Sequence, residues 1–144
     1  MKKYKVGFLC GFFDLLHDGH INILKKAKER CDYLIVAVGT DEFMRQRKNR
    51  ESVLSFEQRV KIVKSIRYVD EVVEEIDLDK IEAYKRYKFN VMFAGDDHLY
   101  EPIYIEATKK LKEFGVDTIY IPRVNSCSST EIREKIIKDY LKNK

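Results

Sequence analysis

Tryptophan is absent from the 144 residues, and glycine (6), proline (2) and cysteine (3) are scarce. With so few, each glycine and proline has positional meaning, and no Pro/Gly/Ser-rich linker divides the chain. The three cysteines, Cys10, Cys31 and Cys127, are odd in number and far apart. That excludes a disulfide framework and a CxxC metal pair, and it points to a reducing, cytoplasmic setting. No apolar run approaches the roughly 20 residues of a membrane span. The start, Met1-Lys2-Lys3-Tyr4, does not read as a signal peptide. Charge of one sign is also in short supply: 28 Lys+Arg against 24 Asp+Glu leave +4. That excess is small for nucleic-acid binding, yet it suits an anionic ligand. The remainder is 44% hydrophobic and 36% charged, so residues 1–144 are expected to form one domain around a single core.

Short apolar runs alternate with amphipathic segments. Val6–Cys10, Tyr33–Val38, Val69–Val73, Val91–Ala94 and Thr118–Ile121 read as buried strands. Helices are expected over Ile21–Arg30, from the Ser55-Phe-Glu-Gln58 capping box to Ile66, over Asp79–Tyr87 and over Pro102–Phe114. A last helix opens at the second capping box, Ser128-Ser-Thr-Glu131. Asp41 to about Arg47 is a short helix or a mobile loop. Such alternation predicts an α/β domain with a five-stranded parallel sheet flanked by helices. Ligands of such sheets lie outside the carboxyl ends of the strands. The segments there, Gly11–His20, Gly39–Asp41, Gly95–His98 and Arg123–Thr130, hold most of the unusual residues.

His17-Asp18-Gly19-His20 follows the first strand and opens a helix. Histidines three apart lie on one helical face, and a helix N-terminus favours an anion. Gly19 allows a bulky ligand near the backbone. Together the two imidazoles suit a phosphate whose charge grows in a transition state. A lone histidine would more simply be a packed or solvated side chain. A second anion cradle follows the fifth strand: Arg123 for a phosphate, then the hydroxyls of Ser128, Ser129 and Thr130. Ser128 also suits a simple helix cap. The run Arg45-Gln-Arg47-Lys48-Asn49-Arg50 is a solvated charge run or a mobile loop whose cations close on phosphates. Cys10, in an apolar run, reads as buried and inert. Cys127 is discounted as a nucleophile because no base partner is indicated nearby.

GFFDLLHDGH resembles the signature of the HxGH nucleotidylyltransferase superfamily, in its cytidylyltransferase branch. Gly39-Thr-Asp-Glu-Phe43, Arg67-Tyr-Val-Asp-Glu-Val72, Gly95-Asp-Asp97 and Ile121-Pro-Arg123 extend the likeness over nearly the whole chain, nearest to the glycerol-3-phosphate cytidylyltransferases. The resemblance implies a Rossmann-like homodimer that joins CTP to a small phospho-alcohol, glycerol 3-phosphate first, with Mg²⁺ accompanying the triphosphate. It implies His17, His20 and Lys48 as catalytic groups. It implies Phe12, Phe13, Gly19, Arg50, Arg67, Arg123, Ser128, Ser129 and Thr130, with the two histidines, at the nucleotide. Asp96, Asp97 and His98 are implied at the acceptor. No nucleic-acid or membrane partner is implied. Asp14 is the nearest candidate for the metal, for which no carboxylate cluster stands out.

The chain departs from the family at several points. Phe12 replaces a threonine and is expected to act through its backbone. Val124–Cys127 differ from the family's motif, and His98 stands where a tryptophan is usual. One extra residue between Phe43 and Arg59 leaves Arg47 as an alternative to Lys48. Arg67 otherwise reads as a surface ion pair with Asp70 or Glu71. A polyol acceptor is expected over phosphocholine, since no tryptophan is available for an aromatic cage, although Tyr100 and Tyr104 remain. An adenylyltransferase of the same superfamily and a non-catalytic nucleotide sensor stay open.

Overall fold

The computed structural model describes residues 3–123 and 129–143. In chain order the elements are β1 (Tyr4–Gly11), α1 (Asp18–Glu29), β2 (Cys31–Gly39), α2 (Asp41–Lys48), α3 (Phe56–Lys64) and β3 (Glu71–Glu75). There follow α4 (Lys80–Tyr87), β4 (Val91–Gly95), a 3-10 turn (Asp96–His98), α5 (Pro102–Glu113), β5 (Asp117–Ile121) and α6 (Ser129–Lys142). The five strands form one parallel sheet in the order β3-β2-β1-β4-β5. The strand order reverses beside β1, which places a ligand crevice at the carboxyl end of that strand.

Alternation along the strands divides the core in two. Leu9, Leu34, Val36, Val38 and Phe93 pack with Leu24 and Ala27 of α1 and Val63 of α3. Phe8, Ile35, Ala37 and Met92 turn the other way, onto Tyr104 and Leu111 of α5 and the apolar side of α4. Each such side chain contributes about 1.5–3 kcal/mol by leaving water. No helix among the described residues is long and apolar enough to cross a membrane.

Several boundaries differ from the sequence expectation by two or three residues, and the 41–48 segment takes the helical of its two expected forms. Helix α1 starts at Asp18 rather than Ile21, because His17 itself supplies the cap. Strand β3 starts at Glu71, two residues late. Asp70 accepts the Leu34 N–H at 2.8 Å and pairs with Lys28, so ladder pairing begins only after it. The 41–48 segment is a helix, capped by Thr40 Oγ1 on the Phe43 N–H (3.1 Å) and stopped by Asn49 at φ 53°.

The loops above the strands are tied together by Arg59, which is fully buried. Its guanidinium donates to Phe12 O (2.8 Å), Gly39 O (2.6 Å), Leu54 O (3.0 Å) and Asp41 Oδ1 (2.7 Å). Gly39 belongs to the same joint: a Cβ there would sit 2.3 Å from the Phe12 ring. An Arg59→Leu variant keeps the apolar stem and strands three carbonyls and a carboxylate. Urea unfolding is expected to show a loss of roughly 3–5 kcal/mol; a loss under 1 kcal/mol would contradict this role.

Candidate active site

A cleft of about 540 Å³ opens over the carboxyl ends of the strands. Its wall at the mouth of α1 carries His17 and His20. The backbone reaches them through Phe13 and Leu15, both at positive φ (56° and 49°), a conformation few side chains adopt. Between them Asp14 is buried, and its carboxylate accepts the N–H groups of Val53 (2.9 Å) and Leu54 (3.0 Å). Phe13 packs beneath the His20 ring, with centroids 5.4 Å apart.

The two histidines build the first turn of α1. His17 Nδ1 accepts the Gly19 N–H at 3.0 Å, and His20 Nδ1 accepts the His17 N–H at 3.1 Å. This is a capping box made of imidazoles, with ring centroids 4.2 Å apart. Because each Nδ1 is an acceptor, the proton of each neutral ring sits on Nε2. The Gly19 N–H is thus engaged by His17 rather than free at the helix end. Both rings are held neutral. Burial pushes His17 below its ordinary value, with Arg123 adding to the effect and Asp18 opposing it. Burial, then His17, lowers His20 to about 4.

Around them gather Arg47, Lys48, Arg50, Arg123 and Arg133. The Lys48 ammonium lies over the Phe12 ring, 5.8 Å from its centroid. Partial burial, then the charges of Arg50, Arg47 and Arg133, lowers its pKa. Burial and Arg133 lower that of Arg50 as well. Cations crowded enough to disfavour one another's charge form a site that polyanion binding would relieve. Arg133, on α6, was missed in the sequence, although it lies four residues, one helical turn, after Ser129. It sits 3.6 Å from Asp14 Oδ2 and donates from Nη2 to Thr130 Oγ1 (3.3 Å). Its Nη1 is buried with no hydrogen-bond partner among the described residues. Ser129 donates to Asp14 O at 2.5 Å and so fastens α6 to the histidine loop.

Phe12, Phe13, Gly19, Thr130, Asp97 and His98 also line the cleft. Asp96 does not. Its Oδ1 instead accepts the Arg123 N–H at 3.3 Å, so it positions that arginine's backbone. Arg67 is exposed between α3 and β3, at the amino end of the sheet and away from the cleft of its own chain. Asp70 and Glu71, its expected partners, are engaged by Lys28 and Tyr33. Ser128 and Cys127 lie outside the described residues. Asp14, the nearest candidate for the metal, has each of its oxygens accepting one backbone N–H group. Among the described residues no group of three His, Cys, Asp or Glu side chains is placed to hold a metal ion.

The far end of the cleft has different chemistry. Cys10, Glu75, Leu78, His98, Glu101 and Tyr104 line it. Beneath them Lys80, buried, donates to Glu75 Oε2 and to Cys10 Sγ, each at 2.9 Å. Cys10 is thus only partly buried and polar in its contacts, where full burial was expected. Burial and then Glu75 push its thiol up to about 11, so it stays protonated. Burial works against the charge of Lys80, but the Glu75 carboxylate, with the Cys10 sulfur as a hydrogen-bond acceptor, outweighs it and raises its pKa.

A family model for cytidylyltransferase-like proteins matches residues 8–135. The glycerol-3-phosphate cytidylyltransferase of Bacillus subtilis is 39% identical over 127 residues, spanning 88% of this chain and 92% of that protein. The FAD synthase of Pyrococcus horikoshii is 38% identical over 135 residues, 88% of each chain. Among solved structures, the lipopolysaccharide core biosynthesis protein of Thermoplasma volcanium superposes with a TM-score of 0.71 at 22% identity. That match covers 86% of this chain and 99% of the other.

The paired caps make a spectroscopic prediction. Nitrogen-resolved NMR at pH 7 is expected to show both rings protonated at Nε2 only, with His20 titrating near pH 4. The folded pKa of His20 lies below its unfolded value, so the unfolded chain takes up the proton first. Stability is unaffected above about pH 6.5 and falls as pH drops from there towards 4. Nδ1 protonation of either ring at neutral pH would contradict the arrangement.

Proposed function

The chain belongs to the cytidylyltransferase-like family, and on that footing we propose that it transfers CMP from CTP to a small phospho-alcohol, glycerol 3-phosphate first. The products are a CDP-alcohol and pyrophosphate. One observation carries the reading: two histidines fixed as Nε2 donors stand beside a cluster of five cations in one cleft.

An oxygen of the acceptor's phosphate attacks the α-phosphorus of CTP in line. The new O–P bond forms as the bond to the bridging oxygen breaks, and pyrophosphate leaves with that electron pair. The attacking oxygen is already deprotonated, so no general base is needed and no covalent enzyme intermediate arises. Catalysis is positioning and charge stabilisation. His17 and His20 donate from Nε2 to the α-phosphate oxygens as their charge rises. Lys48, Arg50, Arg123 and Arg133 hold the β- and γ-phosphates. Gly19 lets the nucleotide pass close to the backbone beside Phe12 and Phe13, and Ser129 and Thr130 anchor it at the start of α6; Ser128, outside the described residues, is the further hydroxyl that the family resemblance implies. Asp97 and His98 face the acceptor. Mg²⁺ bound with the triphosphate would offset part of its charge. In this reading the enzyme works as a homodimer, because Arg67 reaches a nucleotide only across such an interface. Likeness to FAD synthase supports adenylyl transfer as the second reading.

Pyrophosphate release measured across a matrix of nucleotides and phospho-alcohols tests both. CTP with glycerol 3-phosphate is expected to lead, and a preference for ATP would move the chain to the adenylyl side. His17→Asn and His20→Asn keep an acceptor for the helix cap but lose the Nε2 donor. Each is expected to lower kcat by about 10²–10³ with melting near wild type; undiminished turnover in both would remove the mechanism. Arg133→Ala is expected to raise the KM for CTP by about tenfold, because its charge meets phosphate in the ground state as well. Calorimetry showing unchanged CTP affinity would take Arg133 out of the cradle.

A further inference from the structure

The floor at the far end of the cleft is charged where packing alone would favour apolar side chains. Lys80 and Glu75 are 5% and 10% exposed and 2.9 Å apart. A buried ion pair of this kind seldom stabilises a fold better than well-packed hydrophobic residues would. Tyr104, 8% exposed, completes the floor with its hydroxyl 4.0 Å from Cys10 Sγ, and the Lys80 ammonium lies 5.6 Å from the centre of its ring. His98 stacks on Tyr104 at 4.5 Å between centroids, and its Nδ1 is 2.5 Å from Glu101 Oε1.

The pocket carries charge of both signs. Lys80 opposes a quaternary ammonium, while Glu75 and Glu101 oppose a carboxylate. A hydroxyl suits it, because one O–H both donates to a carboxylate oxygen and accepts from an ammonium or a phenol. Two adjacent hydroxyls would engage Glu75 and Tyr104 together. The cation cluster at the opposite end leaves the acceptor's phosphate directed towards the histidines.

Resting on the cytidylyl-transfer reading, we infer that Glu75 and Tyr104, supported by Lys80 and Cys10 and covered by His98, form a hydroxyl-reading subsite that selects polyol phosphates. Specificity then resides in the ends of β1 and β3 and the start of α5, rather than in the Asp96–His98 turn alone. Glu75 and Tyr104 are substrate-contacting specificity residues; Lys80 and Cys10 position them.

The experiment compares glycerol 3-phosphate with n-propyl phosphate, which has the same length and no hydroxyl. Wild type is expected to favour the diol by 10- to 100-fold in kcat/KM. Tyr104→Phe, which removes only a hydroxyl, is expected to raise the KM for glycerol 3-phosphate at least tenfold. The same variant should leave the KM for CTP within twofold and turnover of propyl phosphate unchanged. Glu75→Gln is expected to act in the same direction, and Tyr104→Phe decides the matter where that variant fails to fold. Equal use of the two acceptors by wild type overturns the inference. So does a Tyr104→Phe variant that leaves the diol preference intact or weakens CTP equally. If wild type releases no pyrophosphate from CTP with either acceptor, the cytidylyl reading falls. The subsite is then judged by calorimetry alone: tighter binding of glycerol 3-phosphate than of propyl phosphate, lost in Tyr104→Phe, upholds it, and equal affinities refute it.

Discussion

A single guanidinium in the interior sets the shape of the cleft. Arg59 has no contact with solvent, and it joins the end of β2, the loop after β1, the start of α2 and the loop before α3. A buried charge without partners would be expelled or would unfold its surroundings. These four segments must therefore keep their mutual placement for the charge to be tolerated. Asp14 fastens the same loop from the other side by taking two of its N–H groups. The rim of the site is thus held by directional polar contacts, while the sheet below is held by apolar burial.

On this frame the cleft separates its chemistry by position. Cations concentrate where α2 ends and α6 begins, beside the histidine turn. The neutralised Glu75–Lys80 floor lies beyond β1, on the side of α4 and α5. The histidines stand between, and each ring divides its duties by atom. One nitrogen completes the backbone of a helix, and the other is left for the cleft. A ring so constrained cannot swing between donor and acceptor roles without loosening the helix it caps. That favours fixed hydrogen-bond donation over proton shuttling as its contribution.

Much of this was legible in the chain. Unbroken apolar runs gave the buried parallel strands, and the glycines after β2 and β4 marked where the ligand face begins. His17, Gly19 and His20 stood out because their spacing is unusual at a helix entrance. Features depending on distant partners were not legible. Arg59 looked like one more cation beside a basic run, because nothing local says that it points inward. Asp70 reads as part of a strand until Lys28 and the Leu34 N–H claim it. Cys10 and Lys80 are 70 residues apart, and only the sheet order brings them together. Arg133 was within reach, since its spacing from Ser129 puts both on one face of a helix, but charge on a terminal helix is common.

The bond from Ser129 to the carbonyl of Asp14 spans 115 positions of the chain. Its consequence lies in the order of assembly. Strands β1 and β2 and their helices meet through short separations, and a chain growing from its N-terminus can form them early. The histidine turn then has its fold but lacks the arginine and hydroxyls that arrive with α6. Contacts of such separation carry the largest loop-closure cost and form late. The cation-lined end of the cleft is therefore the last part of the molecule to be completed, and a nascent chain holding every strand would still lack it.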